Sequence, residues 1–121
     1  MKPLLKKLEL SKEQYYSKHL SIINVFLPKK LTPKEIEVIS LFMSLRGDIA
    51  EDRFGTSARK IVMNHMGIQP GGLGNYLKAL KEKEFIREDE NGNLSLLPIL
   101  FPSEPRQGYM FKLEMKEDDT K

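Results

Sequence analysis

The segment Met66-Gly67-Ile68-Gln69-Pro70 constrains this chain most, because it sets a helix stop beside a helix start. Gly67 can adopt the left-handed conformation that closes a helix, and Pro70 suits the first position of the next, where a missing N–H goes unneeded. Only Ile68 and Gln69 lie between them. Upstream, Thr56 or Ser57 is placed to cap a helix whose Ala58, Ile61, Val62 and His65 share a face. Downstream, Leu73, Leu77 and Leu80 form the apolar stripe of a helix from Pro70 to about Glu84, with Phe85-Ile86 as its exit. Two amphipathic helices are therefore expected to be joined by a turn of about three or four residues.

Two further helix starts precede this pair. Thr32-Pro33-Lys34-Glu35 has a threonine cap, proline at the first helical position and glutamate at the third, and Ile36, Ile39, Phe42, Met43 and Leu45 continue it on a wide apolar face. Gly47 can supply its left-handed cap, leaving Asp48 to Gly55 as a polar loop. Ser11-Lys12-Glu13-Gln14 has the S-x-x-Q capping form, followed at helical spacing by Tyr16, Leu20, Ile23 and Leu27 until Pro28. Met1 to Leu10 reads as an extended arm or short strand. After Ile86 the period changes: Asn91-Gly92 predicts a two-residue hairpin turn between strands Ile86 to Glu90 and Asn93 to Leu97. Pro98, Pro102 and Pro105 interrupt the next stretch, although Ile99, Leu100 and Phe101 are too apolar to be left in water. Tyr109, Phe111, Leu113 and Met115 then alternate with Met110, Lys112 and Glu114, the period of a half-buried strand.

With 121 residues, 40% hydrophobic and 31% charged, the expectation is one globular domain. No apolar run approaches the roughly 18 residues of a membrane span, and the chain lacks cysteine, which removes thiolate chemistry, disulfides and Cys-bearing zinc sites. A cytoplasmic protein without a membrane partner is expected. The net charge of +3 is uneven. Residues 1 to 34 hold eight lysines and two glutamates, a balance of +6 that leaves −3 for the rest.

From Thr32 to Leu97 the order is helix, helix, tight glycine turn, helix, hairpin. That order resembles the winged helix-turn-helix family of DNA-binding domains, small bacterial and phage-encoded regulators among them. The turn at Met66-Gly67-Ile68, followed by Tyr76-Leu77-Lys78-Ala79-Leu80-Lys81-Glu82-Lys83-Glu84-Phe85-Ile86, looks like that family's recognition helix running into its wing. The likeness covers 66 of 121 residues. It implies an α+β, mainly α fold: a winged helix-turn-helix with an additional N-terminal helix and a C-terminal strand. Residues 1–30 are then a basic arm and helix, 31–97 the core, 98–115 a Pro-rich segment and a C-terminal strand packed on it, and 116–121 a charged tail.

The resemblance also implies a surface that reads double-stranded DNA, with the helix from Pro70 in the major groove. On a wheel of about 100° per residue, Gly71, Asn75, Lys78, Ala79 and Glu82 lie opposite the leucines. Gln69, Gly71, Asn75 and Lys78 are the expected base-reading residues, since Asn suits an adenine edge and Lys a guanine edge or a phosphate. Thr56, Ser57, Arg59 and Lys60 at a helix start, with Gly72 and Gly74, are the expected phosphate contacts.

Two features depart from a strong DNA binder. Gly71, Gly72 and Gly74 each weaken a helix by about 0.5–1 kcal/mol relative to alanine. Either the backbone approaches DNA closely there or the helix start frays. Glu88, Asp89 and Glu90 would also repel phosphates from the wing. The competing reading is accordingly a winged-helix protein-interaction module in a replication, packaging or transcription assembly. Homodimerisation through the Ser11 to Leu27 helix is compatible with both.

The remaining polar residues take structural roles first. His65 reads as a packed or half-exposed histidine, because His19 is its one potential partner of that type. Lys2, Lys6, Lys7, Lys29 and Lys30 read as a solvated basic surface and secondarily as a phosphate-contacting arm. Tyr15 and Tyr16 read as packing residues. The acidic clusters lack calcium-loop spacing, and no metal or cofactor is expected. Phosphate-loop, zinc-protease and nucleophile-elbow motifs are missing, so no enzymatic activity is expected.

Overall fold

The structure is a computed structural model that describes residues 8–116. The Met1 to Lys7 part of the basic arm and the tail beyond Lys116 lie outside the described residues.

Both sequence capping boxes form. In α1 (Lys12–Ile23) the Ser11 hydroxyl accepts from the Gln14 N–H while the Gln14 side chain accepts from the Ser11 N–H. In α2 (Pro33–Met43) Thr32 and Glu35 do the same. Each box satisfies two of the amide groups that a helix start leaves without partners. The α1 helix gives way at Asn24, four residues before Pro28, to a 3-10 turn, Asn24–Phe26. The Asn24 amide then clamps the connection to α2, accepting from the Leu31 N–H at 2.8 Å and donating to the Leu31 carbonyl at 3.0 Å.

Helix α2 is the centre of the molecule. Val38 through Met43 are all buried, and α1, α4 and α5 each pack against it. A helix apolar on nearly every side is stable only when covered on every side. Ser40, fully buried, donates its hydroxyl to the Ile36 carbonyl at 2.6 Å. Phe42 packs on Phe54 with ring centroids 4.7 Å apart, and the core continues through Leu20, Val62, Leu73, Leu80, Phe85 and Leu100.

Four local expectations are corrected. The segment Asp48 to Gly55 is not all loop, because Gly47 at φ +62° opens a short helix, α3 (Gly47–Glu51), that packs Ile49 and Ala50 against the core. In α4 (Thr56–Met66) the cap position belongs to Gly55 rather than Thr56 or Ser57, and no side chain caps it. The face of α4 that turns inward carries Ala58 and Val62, with Met63 half-buried, whereas Ile61 and His65 lie outside. The Asn91-Gly92 turn is not a two-residue one. Strands β1 (Ile86–Glu88) and β2 (Leu94–Leu96) pair Ile86 with Leu96 and Glu88 with Leu94, and the Asp89 N–H reaches the Asn93 carbonyl, enclosing Glu90-Asn91-Gly92. The Asp89 carboxylate accepts from the Asn91 and Asn93 N–H groups, both at 2.9 Å, and Gly92 takes φ +81°. An aspartate that organises a turn from within makes the three-residue loop with a left-handed glycine the better solution.

Helix α5 (Pro70–Glu82) ends in a Schellman motif, with Phe85 N–H on the Leu80 carbonyl and Glu84 at φ +67°, where glycine is usual. It delivers Phe85 and Ile86 into the core. The fold is thus α+β and mainly helical, with one small antiparallel sheet among the described residues.

The expected C-terminal strand is absent: β1 and β2 form a two-stranded sheet, and residues 101–116 follow it without regular structure. Pro98–Leu100 makes a 3-10 turn that buries Leu100 and leaves Ile99 exposed. Beyond it the chain crosses α1 in extended form, held by side chains. Tyr15 donates its hydroxyl to the Ser103 carbonyl, Tyr109 hydrogen-bonds His19 Nδ1, and Phe111 stacks on Phe26 at 5.4 Å. The alternation is real, but among the described residues no strand edge lies alongside to convert it into a ladder.

Candidate nucleic-acid interface

Three residues, Gly67, Ile68 and Gln69, separate α4 from α5. Gly67 adopts φ +66° and the Ile68 N–H closes on the Met63 carbonyl at 3.1 Å. A residue with Cβ would be strained at that φ. The turn leaves Gln69 as an exposed cap position and Pro70 as the first helical residue.

The buried stripe of α5 is Leu73, Leu77 and Leu80, as the spacing predicts. The expected base-reading residues Gln69, Gly71, Asn75 and Lys78 are all exposed, and of the expected phosphate residues on this helix Gly74 is exposed and Gly72 half-buried. Ala79, placed opposite the leucines on the wheel, is instead half-buried. The helix runs unbroken through all three glycines. A methyl group at Gly71 or Gly74 would meet nothing within 4 Å, and one at Gly72 would make an ordinary 3.7 Å contact with Ile68. Packing within the chain therefore gives no reason for glycine at 71 or 74, despite its helix penalty.

At the start of α4, Thr56, Ser57 and Lys60 are exposed, and no side chain engages the first amides. Arg59 is half-buried and donates Nε to the Phe54 carbonyl at 2.7 Å, which ties it to the preceding loop. Asp52 lies against the same terminus, its carboxylate so close to Gly55 that a Cβ there would sit 1.9 Å from Oδ2. Its charge suits the positive end of α4 and competes there with any phosphate. Beside it opens a cleft of about 710 Å³ between the α3–α4 link and β2. Arg53 and Arg59 line it together with Glu51 and Asp52, so its formal charges balance. The Arg53 guanidinium donates to the Phe42 carbonyl at 2.7 Å and lies 5.4 Å from the Phe101 ring centroid, and burial draws its pKa below the ordinary value.

The hairpin tip is acidic: Glu88, Asp89 and Glu90 are all exposed. Hydrogen bonds from the Asn93 N–H and then the Asn91 N–H hold the Asp89 carboxyl below its usual range. Lys81 on α5 pairs with Glu88 at 3.2 Å, coupling helix and hairpin. Arg87, exposed on β1 opposite Ser95, is a cation that sequence reasoning passed over. Its position within the strand's alternation was the available signal.

The basic pair ahead of α2 points elsewhere. Lys30 Nζ donates to the Val25 and Leu27 carbonyls at 2.7 and 3.0 Å, and Lys29 Nζ to the Glu82 carbonyl at 3.4 Å. These ammonium groups meet carbonyls at the ends of the 3-10 turn and of α5. His65 pairs with Glu13 at 3.4 Å on α1, far from the role of a ligand shared with His19, which is buried beneath Tyr109. Tyr16 is buried and Tyr15 half-buried, the packing roles expected of them.

Fold and surface together define a small, mainly helical α+β chain with an exposed polar helix face bordered by an acidic hairpin. Among the described residues, no helix is long and apolar enough to cross a membrane. Comparison with known proteins finds no matching family model, no matching curated protein and no matching solved structure.

Proposed function

We propose that α2, α4, α5 and the β1–β2 hairpin act as a winged helix-turn-helix, and that the chain binds double-stranded DNA sequence-specifically as a transcriptional regulator. The observation that carries this reading is the exposed face of α5 behind a three-residue turn, polar at Gln69, Asn75 and Lys78 and stripped of side chains at Gly71 and Gly74. Glycines without an internal steric reason suit a helix whose backbone must come close to another molecule. In this reading Gln69, Gly71, Asn75 and Lys78 meet base edges. Thr56, Ser57, Lys60, Gly72 and Gly74 meet phosphates, with Arg59 contributing through its unbonded amino groups.

Selection from a random duplex library followed by fluorescence anisotropy at two salt concentrations tests it. Salt-sensitive binding at micromolar protein is expected, because displaced counterions set the affinity. Its absence would sink the proposal. Asn75→Ala should cut discrimination at one base position by about 1–3 kcal/mol, whereas Lys60→Ala should weaken all duplexes alike and lower the salt slope by about 1. Equal effects of the two substitutions would contradict the division of roles.

The glycines give a sharper test. Gly71→Ala with Gly74→Ala should stabilise the fold by about 1–2 kcal/mol in urea melts while lowering DNA affinity. Tighter or unchanged binding would remove the close-approach account.

One observation favours the protein-interaction reading. The Asp89-organised acidic tip would repel a duplex at the place where wings of this family touch one. In a DNA-binding protein the hairpin must then point away from the duplex, and Glu88→Gln with Glu90→Gln should leave affinity within about twofold. No enrichment of any duplex in the selection would favour the interaction module.

A further inference from the structure

The segment that crosses α1 is incomplete in a specific way. From Tyr109 to Lys116 the backbone N–H and C=O groups have no hydrogen-bond partner among the described residues. The segment is nevertheless extended, since the Tyr109 and Phe111 rings lie parallel within 4° at 6.4 Å, the relation of residues two apart on one side of a strand. Those two rings rest on His19 and Phe26. Beyond them the anchoring stops: Met110, Leu113 and Met115 are 94%, 94% and 96% exposed, and Val25 and Phe26 beside them are 68% and 66% exposed. A run of strand-patterned backbone, unpaired among the described residues and with bare apolar side chains, is a template for pairing.

We infer that this segment pairs antiparallel with the same segment of a second copy, about a two-fold axis at Leu113. The choice of a second copy rests on charge. A two-fold axis perpendicular to a two-stranded ribbon makes one residue face its own copy and mirrors its neighbours. An axis at Lys112 or at Glu114 would set like charges opposite each other, which is unfavourable. An axis at Phe111 would leave Lys112 facing Met110 and Glu114 facing Gly108.

With the axis at Leu113, Lys112 faces Glu114 of the second copy and Glu114 faces its Lys112, so two ion pairs form across the axis. Phe111 then faces the second copy's Met115, and Leu113 faces Leu113. The pairing brings Leu113 and Met115 against apolar side chains of the second copy, and it supplies a ladder to residues 110–116. Within one chain Lys112 and Glu114 already pair at 2.8 Å, but at 84% and 70% side-chain exposure that contact is worth little and exchanges freely. This surface differs from the α1 helix expected to carry a homodimer, on which Tyr16 and Leu20 are buried against the core and His19 hydrogen-bonds Tyr109. This inference stands apart from DNA binding and uses none of the α4–α5 surface.

Sedimentation of the full chain from low micromolar to near-millimolar concentration tests it, with hydrogen exchange of residues 110–116 measured across the same range. Association that rises with concentration, together with slowing exchange in that segment, is expected. Lys112→Glu or Glu114→Lys alone puts like charges opposite at two symmetric places and should weaken association about tenfold. The double variant Lys112→Glu/Glu114→Lys exchanges the signs and should return it to near the original value. All three changes are at exposed positions and should leave the melting temperature unchanged. A chain that stays monomeric throughout overturns the inference. So does a dimer indifferent to the single substitutions, or a double variant that fails to recover.

Discussion

Replacing Phe42 with alanine is expected to destabilise the protein by about 3–5 kcal/mol, the usual cost of removing a buried aromatic ring that its surroundings cannot collapse to refill. Phe42 is 1% exposed, sits on the helix that α1, α4 and α5 all cover, and stacks on Phe54 at 4.7 Å. Its own carbonyl also anchors Arg53, so a relaxation of α2 toward the cavity would disturb the α3–α4 link as well. Urea unfolding should show the midpoint falling with little change in slope. A loss below about 1 kcal/mol would mean that α2 is not the shared core.

Lys83→Met should cost about 2–3 kcal/mol through one carboxylate. Glu35 is 4% exposed at its side chain, and its Oε1 accepts both from Lys83 Nζ at 2.6 Å and from the Thr32 N–H at 2.8 Å. Lys83 also donates to the Lys30 carbonyl at 2.9 Å, so one ammonium group ties the end of α5 to the start of α2. Removing the lysine leaves a charge without its counterion in a buried place, and the 26% exposure of Lys83 keeps the penalty below that of a fully enclosed pair. Glu35→Gln with Lys83→Met keeps an acceptor for the Thr32 N–H and removes both charges. The pair of substitutions should therefore recover most of the loss, a non-additivity that thermal or urea melts would expose. Additive losses would mean that the two side chains act independently.

Both predictions bear on the proposed function, because the orientation of α5 depends on them. The leucine stripe fixes which face turns inward, and the Glu35–Lys83 contact holds the far end of the helix. Near its start, the three-residue turn does the same. An exposed helix face held at both ends can present Asn75 and Lys78 in a defined direction, which a groove-reading surface requires.

Local chemistry made much of this legible in the sequence. Ser11, Thr32, Gly67 and Pro70 marked helix ends because a cap or a left-handed glycine acts within four residues of itself. The exposed face of α5 followed from leucine spacing alone, and it contains Gln69, Gly71, Asn75 and Lys78 together. Where the motifs misled, a side chain outside them intervened. Asp89 took the hairpin away from the Asn91-Gly92 turn by accepting two backbone N–H groups across it. Lys29 and Lys30 looked free because the carbonyls that they cap come from other elements, one of them from α5. Asp52 stands at the start of α4, where a phosphate was expected, because the fold of α3 brings it there.

By itself the amino-acid sequence determined three helix starts, the turn between α4 and α5, and the leucines that face inward, since each depends on neighbours a few residues away. Tertiary structure decided the rest. It placed Val38 through Met43 at the centre, turned Ile61 and His65 outward, and tied Glu35 to Lys83 across 48 residues. It also denied Tyr109 to Met115 the strand that their alternation announces. A strand exists only beside another strand, and period two in a sequence specifies the side chains' faces without supplying the partner edge.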